Sequence, residues 1–165
     1  MNVLVAYATK RGSTREAAEA VAATLAEQGL SVDVRPASAV TSLSRYQAVV
    51  LGSALYTGRL HGDAPAFLRQ HRHALAKRRV AVFGMGPRTL DEHDVAASRA
   101  QLDKALAKAS KVTPRSVAIF GGVVDPAKLR FPFNRIPASD ARDWDAIESW
   151  ATEVAATFTS VPDRV

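Results

Sequence analysis

Residues 2–29 read NVLVAYATKRGSTREAAEAVAATLAEQG and contain two successive patterns joined by a loop. Residues 2–8 form a short apolar run that predicts a buried β-strand. Residues 14–28 have the 3.6-residue period of an amphipathic helix. Gly29 follows them and is expected to end the helix, because glycine readily adopts the left-handed backbone conformation common at helix ends. The apolar face of this helix is predicted to consist of Ala17, Ala18, Val21 and Leu25. The segment therefore predicts one strand, loop and helix unit of a parallel sheet.

The rest of the chain repeats this unit. Further strands are predicted at residues 31–35, 48–53, 79–84 and 116–121, which makes five in all. Further helices are predicted at residues 63–76, 91–109 and 143–158. The last helix is expected to bury Trp144, Ile147, Trp150, Ala151 and Val154. Residues 36–46 are too few for a full crossover helix, so a brief helix or loop is expected there. The pattern indicates an α/β protein with an open parallel sheet.

Length and composition narrow the functional classes. The 165 residues, 47% of them hydrophobic, predict a single domain over residues 1–165. The chain has no cysteine, so redox chemistry would need a bound organic cofactor. The formal net charge of +6 favours anionic partners, but the cations are scattered and no nucleic-acid partner is predicted. Without a basic leader before the first strand, we expect a soluble, cytoplasmic protein. The sequence predicts no oligomeric state.

The loop after the first strand is the strongest candidate site. Ligands of open α/β sheets bind outside the carboxyl ends of the strands, which here means after residues 8, 53, 84 and 121. Hydroxyl groups and exposed amides at the start of a helix suit a phosphate monoester. The predicted phosphate ligands are Thr9, Lys10, Arg11, Gly12, Ser13 and Thr14. The alternative is that Ser13 or Thr14 merely caps the helix.

This loop resembles the T-x-T-G-x-T phosphate loop of flavodoxins, with Arg11 at the position of the second threonine. It has the spacing of neither a Walker A motif nor a G-x-G-x-x-G fingerprint. The resemblance implies flavin mononucleotide (FMN) as cofactor. It also implies a flavodoxin-like three-layer sandwich, in which a five-stranded parallel sheet of order 2-1-3-4-5 carries helices on both faces.

The resemblance further implies two segments that flank the flavin. The first follows the third strand and comprises Ser53, Ala54, Leu55, Tyr56, Thr57 and Gly58. In it, Leu55 and Tyr56 would contact the ring, and Gly58 would let the adjacent peptide reorient. The second follows the fourth strand and comprises Gly84, Met85, Gly86 and Pro87. Two alternatives stay open: Tyr56 is an ordinary half-buried tyrosine, and the second segment is a plain turn with Asp91 as helix cap.

Within this family, the chain most resembles the flavodoxin-type menaquinone-dependent protoporphyrinogen IX dehydrogenases. That implies an FMN-dependent oxidoreductase acting on a porphyrinogen with a quinone acceptor. Residues 123–142, shorter than the corresponding segment of those enzymes, interleave cations with apolar side chains: Lys128, Leu129, Arg130, Phe131, Phe133 and Arg135. These residues could bind a quinone or a porphyrinogen, or make a peripheral contact with a membrane surface. The alternative is that the aromatic side chains pack on the sheet and the cations are solvated.

The alternative function is an electron carrier that shuttles electrons to a redox partner protein. In either case the flavin carries the redox chemistry, and no catalytic side chain is predicted. No metal site is predicted, and His71 and His73 are expected to be surface residues.

Overall fold

The computed structural model describes residues 1–9, 12–56, 59–86, 91–109, 111–124, 139–140 and 142–160. Its strands are β1 (Asn2–Ala8), β2 (Ser31–Pro36), β3 (Ala48–Tyr56), β4 (Arg59–Leu60), β5 (Arg79–Met85), β6 (Ser116–Phe120), β7 (Val123–Val124) and β8 (Ser139–Asp140). Its helices are α1 (Ser13–Glu27), α2 (Asp63–Gln70), α3 (Arg72–Ala76), α4 (Glu92–Lys108) and α5 (Trp144–Thr159), with a single 3₁₀ turn at Ala37–Ala39. None of the described helices is both long and apolar enough to cross a bilayer.

Five parallel strands form the sheet in the order β2-β1-β3-β5-β6. Numbered among themselves along the chain, these strands run 2-1-3-4-5, which confirms the predicted order. The short strand β4 folds back antiparallel on the end of β3, and β7 pairs with β8 in a separate two-stranded ribbon. In the register, Ala8 lies beside Ser53 and Ser53 beside Gly84. The carboxyl ends of the central strands therefore meet at one edge of the sheet.

The alternation of side chains along each strand creates two cores. On β1, Val3 and Val5 face α1 and α5, whereas Leu4 and Ala6 face the layer that contains α2, α3 and α4. All four residues are fully buried, as expected when helices cover both faces of a parallel sheet. The predicted three-layer sandwich is confirmed.

A cluster of three aromatic rings anchors α5 to the sheet. Phe83, Phe120 and Trp150 lie with ring centroids 5.7–5.8 Å apart, and the indole is roughly perpendicular to both phenyl rings. The Trp150 indole N–H donates a hydrogen bond to Ser116 Oγ at 2.9 Å, which satisfies its one polar atom.

The prediction that Trp144 is buried is wrong. Its side chain is 39% exposed, because it begins α5 beyond the end of the aromatic cluster. The ring instead lies 4.8 Å from the Arg142 guanidinium carbon. The other predicted core residues of α5 are buried, including Ile147, which is fully inaccessible.

His71 was expected at the surface, and the structure places it inside. The side chain is only 6% exposed, and its ring centroid lies 4.7 Å from that of Phe67. Nε2 lies 3.2 Å from the carbonyl oxygen of Val40. The predicted continuous helix over residues 63–76 is divided at this residue into α2 and α3. His73 is exposed, as expected.

Burial lowers the pKa of His71, and its hydrogen bond with Val40 offsets this only in part. The folded state therefore resists protonation that the unfolded chain accepts, so we expect stability to fall as the pH drops below 6.5. Urea unfolding across this pH range measures the effect. His71→Gln should flatten the decline, because the amide keeps a donor for Val40 but does not titrate. His73→Gln serves as the control, and an equal flattening there would contradict the assignment.

Candidate functional site

The loop between β1 and α1 is ordered around a left-handed glycine. Gly12 has φ +91° and forms the N-cap of α1, a conformation that residues with a Cβ rarely adopt. The Gly12 N–H donates to the Thr9 hydroxyl oxygen at 3.0 Å, and the Gly12 carbonyl accepts from the Glu16 N–H. The predicted ligands Lys10 and Arg11 lie outside the described residues. The helix, with the unpaired amides of its first turn, therefore begins shortly after the carboxyl end of β1.

Thr14 provides the most informative atom of the site. The residue is fully buried, yet Oγ1 has no hydrogen-bond partner among the residues that the structure describes. An unpaired buried hydroxyl costs about 1–3 kcal/mol, so native proteins rarely keep one. Neither Ser13 nor Thr14 caps the helix, since α1 begins at Ser13 and its cap, Gly12, has no side chain. The capping alternative is therefore wrong, and the hydroxyl is available to a ligand.

Charged side chains surround the first turn of α1. Arg142 Nη1 donates to Glu16 Oε2, and the same guanidinium lies over the ring of Trp144. This ties the segment before α5 to the helix that starts at the loop. Arg15 pairs with Glu19 on the exposed side of α1, and this hydrogen bond raises the pKa of Arg15. Glu16 is the acidic group of the first turn, and Arg142 neutralises it.

The segment after β3 is more regular than predicted. Residues Ala54, Leu55 and Tyr56 continue β3 instead of forming a loop, because Ala54 pairs with Met85 and the next two residues pair with β4. The Ala54 carbonyl accepts from both the Ser53 hydroxyl and the His61 N–H, at 3.0 Å each. The next two predicted flavin contacts, Thr57 and Gly58, lie outside the described residues.

Leu55 packs closely against two glycines, Gly84 of β5 and Gly86 directly after it. A Cβ on Gly86 would lie 2.3 Å from Leu55 Cβ, and a Cβ on Gly84 would lie 3.1 Å from Leu55 Cδ1. These glycines therefore admit the leucine side chain, which is only 9% exposed. A contact between Leu55 and a flavin stays a prediction.

The segment after β5 also departs from a plain loop. Met85 belongs to the strand and is 2% exposed, and the Gly86 N–H donates to the Phe120 carbonyl oxygen at 3.2 Å. Asp91 caps α4 by accepting a hydrogen bond from the Asp94 N–H at 2.8 Å. This confirms the part of the alternative interpretation that assigned Asp91 as the helix cap. Pro87 lies outside the described residues.

Among the described residues, Asp91, His93 and Asp94 bring three potential metal ligands within 4.8 Å of one another. Asp91 and His93 are exposed, and the Asp91 carboxylate already serves as the cap of α4. We therefore attribute the proximity of these three side chains to the helix cap.

The structure thus brings together three of the predicted segments at one sheet edge, through the alignment of Ala8, Ser53 and Gly84. Sequence reasoning missed Arg142, which is 126 positions from Glu16 along the chain. No local pattern could have found that pair.

A doubly wound sheet with a glycine-initiated, hydroxyl-lined helix start at its carboxyl edge is typical of proteins that bind phosphorylated ligands. The family model described as a flavodoxin domain matches residues 4–136, so the chain belongs to the flavodoxin family. Flavodoxins are FMN-binding flavoproteins that transfer electrons to redox partner proteins. A comparison with the sequences of curated proteins found no significant match.

Solved structures share the fold. An archaeal flavodoxin has 14% identity and a TM-score of 0.65, with 97% of this chain and 100% of that chain covered. A single-residue mutant of the Pseudomonas aeruginosa flavodoxin has 16% identity and a TM-score of 0.64, with the same coverage. Flavodoxin 1 of Bacillus cereus has 14% identity, a TM-score of 0.64 and again 97% and 100% coverage. At these identities the likeness supports the fold alone.

Proposed function

We propose that this chain is an electron carrier of the flavodoxin family, and that it holds FMN by its phosphate at the start of α1. The observation that carries the proposal is the buried Thr14 hydroxyl with no partner among the described residues, located at a helix N-terminus. A ribityl monophosphate offers this hydroxyl an anionic acceptor.

The neighbouring groups support an anion at this position. The N–H groups of the first helical turn have no partner within the helix, and the helix dipole adds partial positive charge. Gly12 itself presents no side chain, and apart from its chain neighbours no atom of the described residues lies within 4 Å of where a Cβ would stand. We propose that Thr9, Lys10, Arg11 and Ser13 complete the phosphate site.

For the flavin ring, we propose the two segments that border the same edge of the sheet, residues 53–58 and 84–87. The support is the register, which aligns Ser53 with Gly84 and both with the end of β1. Bound FMN supplies one-electron and two-electron redox chemistry. The chain's own residues bind and orient the cofactor, and no side chain is assigned acid or base work.

The test is a titration of the purified chain with FMN, followed by quenching of flavin fluorescence. We expect a stoichiometry of one and an affinity that falls when inorganic phosphate competes for the helix start. A protein that leaves the fluorescence unchanged would contradict the proposal.

Oxidation of a porphyrinogen with a quinone acceptor stays a prediction from the resemblance. The cationic and aromatic residues on which this prediction depends lie between residues 125 and 138, outside the described residues. Their contact with a membrane surface also stays a prediction. Anaerobic assays distinguish the two functions: a carrier accepts electrons from a reductase but does not turn over protoporphyrinogen with a quinone. The single domain and the cytoplasmic location also stay predictions.

Arg142 offers a finer probe of the phosphate site. Arg142→Ala leaves the Glu16 carboxylate without this neutralising partner in the first turn of α1, so we expect FMN affinity to fall about two- to fivefold. Fluorescence titration measures it. Glu16→Gln in the same background should restore the affinity, because the repelling charge is gone. A loss that persists in the double variant would show that Arg142 does not act through Glu16.

A further inference from the structure

A cleft of about 690 Å³ lies between the α2–α3 pair and α4. Cationic side chains approach it from both sides. Arg69 and Arg72 come from α2 and α3, Lys104 and Lys108 from α4, and Lys111 from the segment that follows α4. The spacing of Lys104 and Lys108 places them on the same face of α4.

The rest of the lining is largely apolar. Leu60, Pro65 and Leu68 line one side, and Ala105 and Ala109 line the other. Leu68 is 3% exposed and belongs to the core beneath the cleft, so this surface is part of the folded scaffold. The volume is within the range of small-molecule sites, about 300–1,000 Å³. The cleft therefore combines a concave apolar wall with a cationic rim.

No carboxylate lines this cleft, and none of its five cations forms an ion pair within the described part of the chain. The five positive charges of the cleft have no acidic partner among the described residues that line it, and the chain as a whole has a net charge of +6. Lys104 and Lys108 lie four residues apart near the C-terminus of α4, where the helix dipole favours cations, so the helix accommodates both charges. Both ammonium groups can therefore be offered to an anionic ligand in the cleft.

The contacts of His73 show how closely the cations approach one another. Lys111 Nζ lies 3.4 Å from its Nδ1, and Arg72 Nε lies 3.4 Å from its Nε2. A neutral imidazole has only one acceptor nitrogen, so at most one of these two cations can donate to the ring. The other cation faces an N–H group. An anion between Lys111 and Arg72 would accept from both.

We propose that this cleft binds a small organic ligand with two or more adjacent phosphate groups, such as a nucleoside triphosphate. The phosphates pair with the five cations, and the apolar wall contacts the organic part of the ligand. Concavity and an apolar lining favour a small ligand over the acidic face of a protein. The cleft and α1 lie on opposite faces of the sheet, so this site is separate from the phosphate loop.

The test is calorimetric titration of the full chain with ATP and with inorganic triphosphate, at low salt, with and without saturating FMN. We expect one ATP per chain, weaker binding of triphosphate, and no effect of FMN. Lys104→Glu combined with Lys108→Glu should lower ATP affinity by about tenfold or more. Arg45→Glu combined with Lys77→Glu changes the net charge equally but lies outside the cleft, and should change the affinity by about twofold at most.

Several results would overturn the proposal. Equal losses in the two double variants would indicate general charge attraction. Competition by FMN would assign the binding to the phosphate loop instead. Tighter binding of an oligoglutamate peptide or a short single-stranded oligonucleotide than of ATP would identify a macromolecular partner. Absence of ATP binding at low salt would exclude the site.

Discussion

Replacing Thr14 with valine is expected to weaken FMN binding by about tenfold to a hundredfold while the apoprotein becomes more stable. A hydrogen bond to a charged group contributes about 1.5–3 kcal/mol, which is the affinity lost. In the apoprotein the same hydroxyl is buried without a partner among the described residues, so its removal should add about 1 kcal/mol to the free energy of unfolding. Fluorescence titration and urea unfolding of the apoprotein measure the two effects.

The FMN affinity is expected to fall while the stability of the apoprotein rises, and this combination makes the experiment specific. If Thr14 only supported the fold, its replacement would lower the FMN affinity and the stability of the apoprotein together. Thr24→Val is the matched control, because Thr24 is also a buried threonine of α1 but lies at the other end of the helix. It should leave FMN affinity unchanged. If Thr14→Val binds FMN as tightly as the unmodified protein, the phosphate is not held at the start of α1.

Gly52→Ala should cause the largest loss of stability, about 3 kcal/mol in the free energy of unfolding. A Cβ at this position would lie 2.2 Å from Phe83 Cζ and 2.7 Å from both Cε atoms. The Phe83 ring cannot move aside easily, because it packs against Phe120 and Trp150. For a chain of this size, we expect the midpoint of thermal unfolding to fall by about 6–12 °C.

Gly62→Ala provides the control for the same chemical change. Gly62 is exposed and has φ −57°, and apart from its chain neighbours no atom of the described residues would lie within 4 Å of a Cβ at this position. Its substitution should change the free energy of unfolding by about 0.5 kcal/mol at most. Trimming the facing ring in the double variant Gly52→Ala with Phe83→Leu should recover part of the loss. Equal stabilities of Gly52→Ala and Gly62→Ala would show that the contact with Phe83 yields at no cost.

The local parts of the site were predictable from sequence. Gly12 and Gly29 both adopt left-handed backbone conformations, and each stands at the end of a periodic helical segment. Such features depend on the conformational preferences of a few consecutive residues. The loop between β1 and α1 could therefore be located before any tertiary contact was known, whereas the lack of a hydrogen-bond partner for Thr14 Oγ1 among the described residues could not be predicted.

Segment ends and burial were predicted less well. The third strand extends to Tyr56 because β4 folds back on it, a pairing that periodicity alone does not reveal. His71 packs against Phe67, and Val40, 31 positions earlier, accepts the hydrogen bond of its buried ring. Trp144 stays 39% exposed at the start of α5, where its ring contacts the Arg142 guanidinium. The strand pairing and the contacts of His71 depend on partners that the apolar and helical periodicity does not reveal.

The order of apolar runs and helical periods along the chain determined the α/β class, the parallel sheet and the place of the loop between β1 and α1. Those properties follow from residues close in sequence, whose backbone preferences and side-chain spacing act before folding is complete. Tertiary structure alone decided that Arg142 neutralises Glu16, that Phe83 leaves no room for a side chain at residue 52, and that five cations surround one cleft. Each of these depends on distances between elements far apart in the chain, which only the packing of helices on the sheet sets.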